Sequence, residues 1–130
     1  TLPDSGIVAI HDAVRPFPSV ELIRNTFDTA ALHGSAIPVI PLKDSIREIS
    51  DVTTNESVAV NRSKFLAVQT PQCFDIALLK PSFAIPYSPS FTDDAAVFEA
   101  AGHKITLCAG DPINLKVTTP EDLDIAKALV

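Results

Sequence analysis

Between Gly6 and Leu42 the chain reads as strand, helix, strand with short links, and this order restricts the fold more than any other feature. The stretch "GIVAIHD" (Gly6 to Asp12) is a short β-rich run ending in polar residues, the pattern of a strand buried on both faces. Ser19 predicts the cap of a helix over about Val20 to His33. On it Leu22, Ile23, Thr26, Phe27, Ala30 and Ala31 recur at helical spacing, and Gly34 stops it. A second strand follows in "AIPVIPL" (Ala36 to Leu42), whose prolines cannot donate ladder hydrogen bonds and must face an edge or a distortion. Such a unit points to an α/β fold with a mostly parallel sheet.

Past Leu42 the pattern changes. "SIREIS", the polar turn "DVTTNES" and "VAVNRSKFLAVQTPQ" alternate apolar and polar residues over short distances, which suits a hairpin or an arm exposed on one side. "DIALLKPSFA" predicts a helix that breaks near Pro81, and "YSPSF" a loop. Thr92 is the expected N-cap of the next helix, with Asp93 and Asp94 in its first turn. "HKITLCAG" and "INLKV" read as strands. The last helix starts at Thr119 as cap, with Pro120 at its first position and Glu121 and Asp122 following.

The 130 residues, 46% of them apolar, suffice for one domain with a real core. A formal charge of −6 argues against a general nucleic-acid binder, since no Lys/Arg cluster supplies counterion release. Cys73 and Cys108 lack metal-ligand spacing and read as free thiols of a reducing cytoplasm. No apolar segment approaches the ~20 residues of a membrane span, and no signal-peptide pattern is seen at the start. The chain begins at Thr1, contains no methionine and enters a strand almost at once, which reads as a piece of a longer protein.

His11 and Asp12 are sequence neighbours, yet successive strand residues point to opposite faces, so they are not expected to form a dyad. Asp12 stands at the carboxyl end of a strand, where open α/β sheets bind ligands, and Arg15 brings a cation to the same rim. The plainer reading is a turn cap with a surface ion pair, and His11 as a core or supporting histidine. "PLKDS" repeats the layout one strand later with Lys43, Asp44 and Ser45. Arg62, Lys64, Gln69, Thr70 and Gln72 follow in "NRSKF" and "QTPQ", where a solvated strand face is the bland alternative. "FTDDAA" offers a helix N-terminus, for which ordinary capping is the simpler account. Lys116, between Leu115 and Val117, faces away from those apolar neighbours and needs a partner, which a phosphate would supply. Phosphate-loop, dinucleotide, zinc-protease and nucleophile-elbow motifs are absent from the sequence.

The motifs "HDAVRP", "PLKDS", "NRSKFLAVQTPQ", "FTDDA" and "NLKVTTPEDL", in this order, resemble those of the 2-C-methyl-D-erythritol 4-phosphate cytidylyltransferases of non-mevalonate isoprenoid biosynthesis, across nearly the whole chain. The resemblance implies a Rossmann-like nucleotidyltransferase fold acting as a homodimer. It also implies transfer of CMP from CTP to the methylerythritol phosphate, with diphosphate released and Mg2+ assisting. By motif, Asp12, Arg15, Ser45, Thr70 and Thr92 are implied as substrate contacts and Arg62 and Lys116 as the catalytic cations, with Ser45 where the family more usually has threonine. Residues 44–67 resemble the family's dimerisation arm, which would lend Arg62 to the partner's site.

One departure is large. The family's opening strand, glycine-rich CTP loop and Pro-Lys motif have no counterpart in this sequence. The resemblance therefore implies residues 1–130 as the C-terminal part of one nucleotidyltransferase domain, inactive alone. Two alternatives stay open: a ribitol-5-phosphate cytidylyltransferase, which shares "HD..RP", and a non-catalytic dimerisation or binding module.

Overall fold

The computed structural model describes residues 3–130; Thr1, on which the reading as a piece partly rests, lies outside the described residues. In chain order the elements are β1 (Ile7–Ile10), α1 (Val20–His33), β2 (Ser35–Pro41), β3 (Arg47–Asp51), β4 (Glu56–Ala59), a 3-10 turn (Arg62–Lys64), β5 (Leu66–Val68), β6 (Gln72–Asp75), α2 (Ile76–Ser82), α3 (Asp94–Ala100), β7 (Leu107–Ala109) and α4 (Pro120–Ala128).

The first helix follows its sequence signals. The Ser19 hydroxyl accepts from Leu22 N at 3.1 Å, and Gly34, at φ 86°, returns its N–H to the Ala30 carbonyl. The left-handed turn there favours glycine. Leu22, Thr26 and Ala30 are buried along one stripe, while Ile23 and Ala31 are exposed. The small Thr26 and Ala30 let α1 lie close against the sheet.

β1 and β2 run in the same direction, as a strand–helix–strand unit requires, but they do not pair with each other. β6 lies between them and is antiparallel to both, with Cys73 opposite Ala9 on one side and Ala36 on the other. β5 continues the same edge of β2 antiparallel, and β7 pairs with β2 in parallel. The α/β class holds and the ladders are mixed.

Side-chain alternation divides the core between two helical layers. Ala36 and Cys73 pack with Ala30, Ile7, Ala9, Phe27 and Cys108 under α1. On the opposite face Ile37 and Phe74 join Leu79 of α2 and Ala95 and Phe98 of α3, with the Phe74 and Phe98 rings 5.0 Å apart.

Three expectations are corrected. The N-cap of α3 is Asp93, whose Oδ1 accepts from Ala96 N at 2.9 Å, and not Thr92, which stays exposed. "INLKV" is no strand: Asp111 to Asn114 turn tightly, with Asn114 N donating to the Asp111 carbonyl, and the chain runs on as a loop to α4. "HKITLCAG" contributes only Leu107–Ala109 to the sheet. The last helix agrees with its signals, since Thr119 and Asp122 form a reciprocal capping box behind Pro120.

The hairpin of β3 and β4 forms a separate two-stranded sheet. It carries Ile49, Val52 and Val58, each more than half exposed, and Asn55 at φ 57° closes its turn. No helix among the described residues is long and apolar enough to cross a membrane.

Candidate active site

β1 ends at Ile10, and the chain turns at once, with Arg15 N donating to the Asp12 carbonyl. This turn returns the Arg15 side chain to Asp12, where Nε lies 3.2 Å from Oδ2. Lys116 Nζ reaches the same oxygen at 3.2 Å. Burial pushes the Asp12 carboxyl up, but the hydrogen bonds from Lys116 and Arg15 outweigh it and hold its pKa below the ordinary value.

The two cations differ in what they have left to offer. Arg15 is nearly buried, at 11% side-chain exposure, and its other nitrogens donate to the Asn114 carbonyl at 2.7 Å and the Val68 carbonyl at 3.4 Å. Lys116, at 47%, remains open to solvent and to a ligand. The partner that a lysine in this position requires is Asp12.

His11 is exposed, which overturns the core reading. Its Nδ1 lies 2.9 Å from Thr70 Oγ1 and its Nε2 2.9 Å from the Arg15 carbonyl. Because a carbonyl only accepts, Nε2 is the donor to Arg15, which leaves Nδ1 to accept a hydrogen bond from the Thr70 hydroxyl. Thr70 Oγ1 in turn accepts from Asp12 N at 3.0 Å. His11 and Asp12 thus share a threonine and form no dyad.

Gln72, fully buried, clamps the start of α3: Nε2 donates to Asp93 Oδ2 at 2.9 Å and Oε1 accepts from Ala95 N at 3.1 Å. Asp94 beside it has its pKa raised by burial, then by the Asp93 charge and, less, by Asp12.

Asp12, Arg15, Thr70, Thr92 and Lys116 line one cleft of about 140 Å³, together with Gln69, Gln72 and Asp93. Arg62 and Ser45 do not line it. Arg62 sits exposed on the 3-10 turn after the hairpin, donating to the Lys43 carbonyl, and Ser45 is exposed on the way into the hairpin. A more apolar hollow of about 340 Å³, walled by Phe83, Tyr87, Phe91 and Val97, adjoins the cleft through Thr92 and Asp93. Sequence reasoning missed Asn114 as part of this site, because its neighbours Leu115 and Val117 read as a strand.

The sequence profile of the 2-C-methyl-D-erythritol 4-phosphate cytidylyltransferase (IspD) family matches residues 2–130. The chain belongs to that family. Among curated IspD relatives, the 2-C-methyl-D-erythritol 4-phosphate cytidylyltransferases of Bacteroides thetaiotaomicron and Bacteroides fragilis are 42% and 44% identical over 125 residues. The matches cover 96% of this chain and 56% of either relative, so the chain spans little more than half their length. The crystal structure of the 2-C-methyl-D-erythritol 4-phosphate cytidylyltransferase from Thermus thermophilus superposes with a TM-score of 0.82 at 34% identity, covering 95% of this chain and 61% of that one. The Rossmann-like fold expected from the IspD motifs is therefore the fold observed.

Proposed function

We propose that the chain forms the acceptor side of a CTP-dependent cytidylyltransferase that transfers CMP to 2-C-methyl-D-erythritol 4-phosphate. The observation that carries this reading is the cleft at the carboxyl end of β1, where the Asp12 carboxylate is gripped by Arg15 and Lys116 beside Thr70 and Thr92. An ionised carboxylate accepts hydrogen bonds from polyol hydroxyls, and the exposed ammonium of Lys116 suits a phosphate.

In this reading an oxygen of the acceptor phosphate attacks the α-phosphorus of CTP in line. One P–O bond forms as the bond to the bridging oxygen of the diphosphate breaks, so positioning and cationic stabilisation carry the catalysis. Two cations and two carboxylates line the cleft, which leaves it without net positive charge for a phosphate ligand. This supports a further cation from outside, and Arg62, presented after an exposed hairpin rich in apolar side chains, fits that role across a homodimer. Ser45 belongs to the same arm, residues 44–67. Mg2+ enters this reading with CTP: among the described residues no group of three His, Cys, Asp or Glu is placed to hold a metal ion. Free thiols support a reducing compartment, the cytoplasm.

Calorimetric titration of the chain with 2-C-methyl-D-erythritol 4-phosphate tests the acceptor site. Binding that Lys116→Ala abolishes is the expected result; binding of ribitol 5-phosphate in its place would sink the choice of acceptor. Diphosphate release from CTP by these 130 residues alone would overturn the assignment of an acceptor side only.

A further inference from the structure

We propose that Asn114 is the positioning residue of the cleft, joining the three segments that deliver Arg15, Thr70 and Lys116. Its side chain is fully buried, and Nδ2 donates to the Thr70 carbonyl at 2.8 Å, with Gln69 Oε1 at 3.5 Å. Its main-chain carbonyl accepts the shortest of the three Arg15 hydrogen bonds, at 2.7 Å. Two residues on, Lys116 leaves the same loop for Asp12, and the loop is tied again where Val117 N donates to the Val14 carbonyl at 2.8 Å. The backbone of Lys116 is thus fixed on either side.

The neighbouring contacts reinforce the junction. Gln69 holds Asp111 from both ends of its amide, accepting from Asp111 N at 3.0 Å and donating to the Asp111 carbonyl at 2.9 Å. Since both groups facing Asn114 Nδ2 are acceptors, the orientation of its amide is determined. That orientation leaves Oδ1 buried without a hydrogen-bond partner among the described residues. An unpaired buried carbonyl oxygen costs stability, and an apolar side chain would avoid that cost while losing the tie to Thr70. The polar group is accounted for by what it aligns.

The inference deepens the proposed function and rests on it only for the ligand. Its direct readout is the Asp12 pKa, followed by NMR in the 130-residue chain, because Asp12 senses where Arg15 and Lys116 stand; Asp94 is the other titrating neighbour and is followed in parallel. In Asn114→Ala the Asp12 pKa is expected to rise back toward the ordinary carboxylate value as its cationic partners loosen. Ser82→Ala, which removes an equally buried hydroxyl in α2, is expected to leave it unchanged. An unchanged Asp12 pKa in folded Asn114→Ala overturns the inference. Should that variant not fold, the unaltered chain decides: the Asn114 side-chain amide signals should follow the Asp12 titration midpoint, and indifference to it counts against the proposal. Failure of the unaltered chain to bind 2-C-methyl-D-erythritol 4-phosphate would refute the proposed function, while the Asp12 measurement would still judge Asn114.

Discussion

Lys116 and Asp12, from opposite ends of the chain, meet at 3.2 Å on the oxygen that Arg15 also holds. The pair fixes the sign of a pH effect. The folded-state pKa of Asp12 lies below its unfolded value, so the stabilisation is fully present above the ordinary 3.8 and is lost as pH falls through the depressed value. Lys116→Gln is expected to cost on the order of 0.2–1 kcal/mol at pH 7, in keeping with a half-exposed pair, and almost nothing once Asp12 is protonated. Urea denaturation at neutral and acid pH checks this; an equal loss at both would contradict it.

Gly110 is expected to tolerate no side chain. A Cβ there would lie 2.7 Å from Gln69 Oε1 and 2.9 Å from the Val39 carbonyl oxygen, and the second of these is backbone. Gly110→Ala should destabilise by about 1–3 kcal/mol and break the clip between Gln69 and Asp111. A lowered urea midpoint and altered amide shifts at Asp111 and Asn114 would report both effects.

Phe98 is buried between Phe74 and His103, with ring centroids 5.0 and 4.6 Å away. Phe98→Ala should cost about 3–5 kcal/mol, a large share of a domain's stability, and Phe98→Leu markedly less. Because α3 brings Asp93 and Thr92 to the cleft, ligand affinity should fall together with the unfolding midpoint in the alanine variant.

The thiols should be inert in the folded chain. Burial pushes Cys73 up to about 12, and burial also raises Cys108, whose Sγ lies 3.9 Å from the Thr26 hydroxyl. Reaction with a disulfide reagent at pH 8 should therefore be slow until urea unfolds the chain, with Cys73 the slower of the two. Rapid native labelling of Cys73 would refute this.

Legibility in the sequence followed the range of the interactions. Ser19, Gly34, Thr119 and Pro120 act within one turn of their helices, and α1 and α4 begin and end where those residues direct. Cleft residues on the β1 turn could be placed because the exit of the first strand of a strand–helix–strand unit is a known address for ligands, whichever way its ladder partner runs. The insertion of β6 between β1 and β2 depends on pairing between segments far apart in sequence, and no local pattern announces it. Thr92 lost the cap to Asp93 through a long-range contact, the clamp by Gln72. "INLKV" failed for a similar reason: Asn114 serves Thr70 and Arg15, and its apolar neighbours imitate a strand.

The placement of β6 also bears on assembly. With β1 and β2 on either side of it and no ladder joining them directly, the opening strand–helix–strand unit encloses a vacant slot one strand wide, covered on one face by α1. The slot is filled only when residues 72–75 arrive, and the hairpin must be made or bypassed before then. Pairings of such wide sequence separation are closed late and slowly. A ribosome-bound chain thus leaves the slot open until Gln72–Asp75 has emerged, directly behind the segment that brings Thr70 to the cleft, and β7 adds to the other edge of β2 only later.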